Sequence, residues 1–408
     1  MNHRHRPFSV VICVYTEDRW EDILAAVESV RTQSLPALET LLVVDHNTVL
    51  LERLGREYQE HAARGEVRVL ANAGPRGLSA GRNTGIAAAR GELIAFLDDD
   101  AVAERDWLRF FDEAYEDPRV LAVGGRTVPA WSSGDRPDWF PEEFDWVVGC
   151  TYRGLPGGKA RVRNVLGGNA SFRRAAFDAA GGFATGIGRD GDKRPLGCEE
   201  TELCIRLTRA VPDGVILIDD RSVIHHKVPA ARGRFGYFRT RTYAEGLSKA
   251  LVARSVGADK GLESERRYTT RVLPAGVARG LRDAVLGRRG GAGRAGAIVA
   301  GATTAAAGYL VGRFRTRGGE AAFSSGPIES GPAARTAATD RWTPAGAVEA
   351  LAPTGTAGAA APVAPVDAVD ADAPTGAPVT GDADAPASAP ASPVTADRGT
   401  HDPRGAAV

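Results

Sequence analysis

Three consecutive carboxylates, Asp98, Asp99 and Asp100, follow the apolar run LIAFL. Carboxylates set side by side repel one another unless a cation intervenes. Hard divalent ions such as Mg2+ or Mn2+ prefer such oxygen ligands and can bridge them to a diphosphate. Further along, GCEETELCIRL places Glu199, Glu200 and Glu202 at the start of an apolar-periodic segment. One of these could deprotonate an incoming hydroxyl while a metal at the triplet stabilises a departing diphosphate. Acidic residues are also favoured in any first helical turn, so this cluster by itself does not define a reaction. RSVIHHKVP then offers His225 and His226, either of which, as a neutral imidazole, could complete a metal shell. NAGPRGLSAGRNTG, residues 72–85, combines glycines that permit close backbone approach with Arg82, whose guanidinium suits a phosphate. The segment after the first apolar run reads CVYTEDR and lacks G-x-G-x-x-G, which counts against a nicotinamide-dependent dehydrogenase. Nucleotidyl transfer, phosphoester hydrolysis and sugar transfer all remain open on these residues.

The elements that must hold these groups are legible in the surrounding pattern. Phe8 to Tyr15 is a nearly continuous β-branched and aromatic run, as in a strand buried on both faces of a parallel sheet. Helical spacing over Trp20 to Gln33, Thr48 to Arg64 and Ser79 to Ala89 alternates with strand-like runs at Glu39 to Asp45, Val67 to Ala71 and Leu93 to Leu97. This βαβαβαβ order predicts a Rossmann-like α/β half with a central, mostly parallel sheet flanked by helices, and with ligands at the carboxyl ends of its strands. A helix over Glu104 to Tyr115, strands at Val120 to Val128, Asn169 to Phe172 and Val215 to Ile218, and a helix over Glu199 to Ala210 complete a catalytic domain spanning 1–230. Residues 231–320 read as a basic helical extension, possessing an uncharged stretch at 295–312 between arginines. Residues 321–408 are Ala/Pro/Asp-rich and aperiodic, the composition of a disordered tail. Over the 408 residues 51 basic side chains balance 51 acidic ones, which gives no reason to expect a nucleic-acid partner. Four cysteines with no C-x-x-C pair and an N-terminus without an apolar run predict a cytoplasmic location.

Taken in order, the motifs resemble family 2 of the inverting glycosyltransferases, which have the GT-A fold. The resemblance covers residues 8 to about 230 and rests on VVICVYTEDR, LLVVDH, GLSAGRNTGIAAARGELIAFLDDDA and CEETELCIR. Cys13 stands where proline is usual, Gly81 where alanine is usual, and Glu200 and Glu202 replace the two aspartates of an E-D-x-D-L-x-x-R motif. The resemblance implies that Tyr15 and Asp45 hold the nucleoside, with Arg82 near the nucleotide. It further implies that Asp98 and Asp100 flank the diphosphate and a Mn2+ or Mg2+ ion, with His226 or His225 as a metal or phosphate ligand. Glu200 is then the general base, and Asn169, in GGNASFRR, lies on the strand facing donor sugar and acceptor. A narrower similarity, to actinobacterial members labelled glucosyl-dolichyl-phosphate glucuronosyltransferase, rests on VYTEDRW, VVDHN, EFDWVVGCTYRG, GCEETELCIR and YAEGLSKALVAR.

The expected activity is metal-dependent, inverting transfer of a sugar from a nucleotide-diphosphate donor, UDP-linked, to a hydroxyl or phosphate of a polyprenyl-phosphate-linked or glycan acceptor. A sugar-phosphate nucleotidyltransferase would carry a Gly-rich, Lys/Arg-bearing loop straight after the first strand, where TEDRWED is acidic. A non-catalytic, membrane-bound sugar-nucleotide binder would retain Asp45 and need neither Glu200 nor the triplet. Residues 221–320 carry a net charge of +14, between −8 before them and −6 after them. That balance predicts peripheral attachment to the cytoplasmic face of the cell membrane.

Overall fold

The computed structural model describes residues 5–185, 189–190, 194–195, 197–256 and 266–315, so the expected tail lies outside the described residues. The chain opens on β1 (Phe8–Val14), whose side chains are buried on both faces except for half-buried Cys13. Alternate residues serve two cores. Phe8, Val10, Ile12 and Val14 pack under α1 (Trp20–Arg31), α2 (Thr48–Glu57) and α5 (Trp107–Ala114), whereas Val11 faces Ile86 of α4 (Leu78–Ala88) and Leu203 of α7 (Glu199–Ala210) in the opposite core. β1 pairs in parallel with β2 (Glu39–Val44) and β4 (Leu93–Leu97), and β2 with β3 (Val67–Ala71).

The second half of the sheet is mixed. β8 (Asn169–Arg173) runs antiparallel between β4 and β6 (Val120–Trp131), and β6 pairs in parallel with β11 (Val215–Val228). β5 (Ala101–Ala103) and β7 (Lys159–Arg161) pair antiparallel with β11, giving the order β3-β2-β1-β4-β8-β6-β11-β5. Two short elements, α3 (Gln59–Ala63) and α6 (Arg174–Ala180), and a pair of two-residue strands, β9 (Arg189–Asp190) and β10 (Arg194–Pro195), complete this part.

Three differences from the sequence reading have physical causes. The helix expected over 48–64 breaks at Tyr58, which leaves helical geometry while its ring is buried in the core. The helix expected from Glu104 begins at Trp107, because β5 first pairs with β11 and the Glu104 amide donates to the Val223 carbonyl. The strand expected to stop at Ile218 runs on to Val228 through a register shift between Ile218 and Val223. Both histidines therefore lie within a strand, not after one.

Beyond residue 230 the chain forms α8 (Phe235–Val256), a π-helical turn (Tyr268–Val272), α9 (Leu273–Val285) and α10 (Gly291–Arg315). These pack on an aromatic cluster in which Phe140, Phe144 and Phe238 meet Leu273 and Ile298, with Trp131, Trp139 and Trp146 at its margin. The Tyr268 hydroxyl donates to the Glu143 carbonyl at 2.6 Å and accepts from the Trp146 indole at 3.0 Å, pinning the π-helical turn. α8 and α10 approach backbone to backbone. A Cβ on Gly308 would lie 2.1 Å from the Tyr243 carbonyl oxygen, and one on Gly246 would lie 2.1 Å from the Ala305 carbonyl oxygen. Gly308→Val is therefore expected to cost about 1–3 kcal/mol or more through overpacking. At exposed Gly296, where a Cβ would meet nothing within 4 Å, Gly296→Ala should gain up to about 1 kcal/mol of helix propensity. Denaturant midpoints of the two variants check this; equal losses would mean that the close contact is not what selects glycine.

Candidate active site

The carboxyl ends of β1, β2 and β4 open into a cleft of about 1580 Å3, whose far wall is built by α7, α8 and α10. Tyr15, Asp45, Arg82, Asp98, Asp100, Glu200 and His226 all line it. Asp45, at the end of β2, accepts hydrogen bonds from Asn72 Nδ2 at 2.7 Å and from the Gly77 amide at 3.0 Å. Its carboxylate thus braces the glycine-rich loop against the sheet. Tyr15 is 41% exposed, and the Arg19 guanidinium lies 5.3 Å from its ring centroid.

The acidic triplet divides its labour. Asp98 is the accessible member, and Gly168 is what makes room for it, since a Cβ there would lie 2.1 Å from Asp98 Oδ2. Asp99 is buried and bonded to Arg19, with one oxygen left without a partner among the described residues. Burial pushes its carboxyl up to about 7 against the pull of Arg19, with Asp100 and Asp98 adding to the rise. Asp100 is buried too, yet a hydrogen bond and charge from His226, at 3.1 Å, and the charges of Arg19 and Arg232 hold it below the usual carboxylate range. Arg19 and Arg232 were not among the residues singled out by motif, although Arg19 lies within TEDRW.

Ligand atoms of Asp98, Asp100 and His226 lie within 4.8 Å of one another. Two carboxylate oxygens and one imidazole nitrogen form a donor set that could hold a divalent cation. Pairing of β11 with β5 sets His226 opposite Ala101, next to the triplet, while strand alternation turns His225 to the other face. His225 is half exposed and bonds Glu104 at 3.0 Å, so of the two histidines only His226 joins the cluster. Asn169 also departs from expectation. It is fully buried, its Oδ1 accepts from the Trp107 indole at 2.8 Å, and its Nδ2 donates to the Arg126 and Ser222 carbonyls. Those bonds fix the sheet and leave the amide no reach toward a sugar.

At the start of α7 three carboxylates have three fates. Glu199 accepts from Arg82 at 3.0 Å, and Arg82, buried between the Phe96 and Phe183 rings, also lies 3.8 Å from Asp98. Arg82 therefore ties α4, the end of β4 and α7 together and does not reach freely into the cleft. Glu202 is clamped by Arg206 at 2.6 and 2.8 Å, and the same guanidinium donates to the Ala180 and Gly182 carbonyls. Glu200 is half-buried on the cleft wall, with no ion pair among the described residues. Burial and the neighbouring Glu199 push its carboxyl up to about 8.

A mixed sheet with an acidic cluster and a lone carboxylate facing one cleft is the architecture of a nucleotide-diphospho-sugar transferase of the GT-A fold. Residues 9–181 match the family described as glycosyl transferase family 2. The chain is 37% identical over 245 residues, 60% of this chain and 76% of the relative, to a glucosyl-dolichyl phosphate glucuronosyltransferase of Haloferax volcanii, an archaeal and not an actinobacterial relative. It belongs to this family and is a glycosyltransferase. A probable N-acetylgalactosaminyltransferase of Caenorhabditis elegans is 27% identical over 194 residues, 43% of this chain and 33% of that one. Among solved structures, a mannosyltransferase from Pyrobaculum calidifontis in complex with GDP-Man and Mn2+ overlaps 74% of this chain and 88% of its own, at 17% identity and a TM-score of 0.49.

His226→Ala should weaken Mn2+ binding, read by electron paramagnetic resonance in the presence of UDP, by about 10- to 100-fold. His225→Ala should leave it within about twofold, given the separate Glu104 pairing. Equal effects of the two substitutions would refute the sorting of the histidines.

Proposed function

We propose that the chain transfers a glycosyl residue, with inversion and with the help of a divalent cation, from a UDP-sugar to a hydroxyl of a polyprenyl-phosphate-linked acceptor. The observation that carries this reading is Glu200. It is the one carboxylate of the α7 cluster outside an ion pair among the described residues, and it shares its cleft with Asp98, Asp100 and His226. In a single displacement Glu200 takes the proton of the acceptor hydroxyl as its oxygen forms a bond to the anomeric carbon. The bond from that carbon to the diphosphate breaks with its electron pair, which inverts the centre. Asp98, Asp100 and His226 would hold the cation, which supplies charge neutralisation for the departing diphosphate. Arg19, beside Tyr15 and the triplet, lies on the same side of the cleft and adds positive charge there. Asp45, at the carboxyl end of β2 in the same cleft, offers a carboxylate acceptor for a base N–H of the nucleotide, and UDP is the carrier proposed. The lipid-linked acceptor is supported by the name of the archaeal relative, a glucosyl-dolichyl phosphate glucuronosyltransferase.

A panel of UDP-, GDP- and dTDP-sugars with Mn2+ tests this: UDP release should dominate and disappear on chelation. Because Glu200 must be unprotonated to act and its carboxyl lies at about 8, kcat/KM should climb with pH through that region and then level. Glu200→Gln should retain UDP binding, lose this limb and slow transfer by about two to four orders of magnitude. Crippled chemistry in Glu202→Gln instead would move the base to the residue that Arg206 holds.

Membrane attachment belongs to the same reading. α10 is long and apolar enough to cross a membrane by length and composition, with 33% of its most apolar window buried. α9 and α10 leave Leu281, Val285, Leu286, Val299, Leu310 and Phe314 exposed, with Arg282, Arg288, Arg289 and Arg313 among them. Interfacial seating of this face on an anionic cytoplasmic leaflet fits both features, each engaged arginine contributing on the order of 1 kcal/mol. The four cysteines are free thiols, in keeping with a reducing compartment. The full-length chain should sediment with phosphatidylglycerol vesicles and less with zwitterionic ones, and Val285→Asp with Leu286→Asp should release it. Complete recovery in the supernatant at low salt would exclude this attachment.

A further inference from the structure

We propose that α8 carries the acceptor subsite, where Arg241 and Lys249 bind the phosphodiester that joins the acceptor's sugar to its lipid. The proposal rests on the glycosyl-transfer reading and adds to it the groups that recognise the acceptor. The donor's charge is served on the opposite side of the cleft, by the Asp98–Asp100–His226 cluster and Arg19. Beyond Glu200 the cleft continues along α8 and α10, and among the described residues this half is basic: Arg241, Lys249, Arg266 and Arg267 line it against one carboxylate, Glu245.

The turn that delivers Glu200 is latched to α8. The Gly197 amide donates to Ser248 Oγ at 3.1 Å, and the Cys198 thiol donates to Glu245 at 3.2 Å. Arg241 Nη2 lies 3.9 Å from the position a Cβ on Gly197 would take, and Glu245 Oε2 lies 4.0 Å from it. Lys249 Nζ follows at 3.6 Å from Glu245. A cation, a carboxylate and a second cation therefore sit on one side of the base, fixed relative to it by the latch. Arg241 is only 8% exposed, yet lines the cleft. A guanidinium withdrawn from bulk water in this way binds a phosphodiester anion through paired, charge-assisted hydrogen bonds.

Geometry then orders the acceptor. Its hydroxyl must reach Glu200, its ring lies beside Glu245, a carboxylate suited to accepting sugar hydroxyls, and the next group along the chain meets Arg241 and Lys249. Abreast of these cations the wall is apolar, formed by Ala302, Ala305 and Tyr309 of α10, and the helix goes on to expose Leu310 and Phe314. A monoanion followed by a hydrocarbon chain satisfies both surfaces, whereas a free glycan would leave the apolar wall bare.

Calorimetry on the full-length chain, with Mn2+ and UDP present, tests the assignment without turnover. The probes are glucosyl phosphoryl citronellol, citronellyl glucoside without the phosphate, and glucose 1-phosphate without the tail. The first should bind about 10- to 100-fold more tightly than the second, the range expected for charge-assisted hydrogen bonds, and more tightly than the third, which isolates the tail. Lys249→Gln and Arg241→Gln should each bring the first two probes within about threefold of one another, with UDP affinity as the control for folding. Should Arg241→Gln lose UDP binding as well, Lys249→Gln decides alone. Equal binding of the two citronellyl compounds by the unaltered chain, or an unchanged ratio in Lys249→Gln, would overturn the proposal; tight glucose 1-phosphate binding equal to that of the first probe would overturn the lipid part. Failure of the transfer reading would show separately, as absence of nucleotide release from every donor with the binding ratio intact.

Discussion

Crowding of like charge is the constraint around which the cleft is organised. Asp98, Asp99, Asp100, Glu199 and Glu200 line one cavity, and Glu202 stands on the next turn of the same helix. So many carboxylates cannot all ionise side by side in a partly desolvated site. The fold answers by assigning partners individually: Arg19 to Asp99 and Asp100, the His226 imidazole to Asp100, Arg82 to Glu199, Arg206 to Glu202. Asp98, the accessible member of the triplet, and Glu200, outside any ion pair among the described residues, face the cavity. Much of the tertiary arrangement serves this distribution. β11 must run past its bulge to bring His226 to the triplet, and α4 must pack under α7 to bring Arg82 to Glu199.

The distribution also sets how the fold responds to pH. Asp100 is held below its ordinary range, so its contribution to stability is present above the unfolded-state value near 3.8 and is lost as pH falls further. Asp99 and Glu200 are shifted the other way, to about 7 and about 8. Each binds its proton more firmly in the folded chain, so their ionisation opposes folding as pH rises from the ordinary carboxylate range through those values. A cation arriving at the cluster would relieve the same repulsion.

How much of this was legible in the sequence depended on the distance over which each feature is determined. The parallel half was readable because strands buried on both faces, such as Phe8–Val14 and Glu39–Val44, are nearly continuous apolar runs broken only by Ser9, Glu39 and Thr40. The clamp of Glu202 by Arg206 is a local i,i+4 pair and could have been read from spacing alone. β11 concealed its length because Asp219, Asp220, Arg221 and Ser222 look like a turn, and only pairing with β6 on both sides of the register shift shows one strand. Once the strand is seen to continue, alternation separates His225 from His226. Nothing local could separate Glu199 from Glu200, since the partner that distinguishes them, Arg82, is 117 residues away. Asn169 misled for a related reason: a polar residue in a candidate site motif looks like a ligand until its indole and carbonyl partners, from three other parts of the chain, are counted.

The glycine-mediated contact between α8 and α10 bears on how the cleft wall responds to its surroundings. With Gly246 and Gly308 pressed against the partner backbone, α10 cannot drift from α8 without leaving both uncovered. The helix that borders the cavity is also the one whose outer edge is exposed and apolar, so whatever meets that edge is mechanically joined to the cleft wall. The helix pair thus acts as a rigid strut that joins that edge to the cleft.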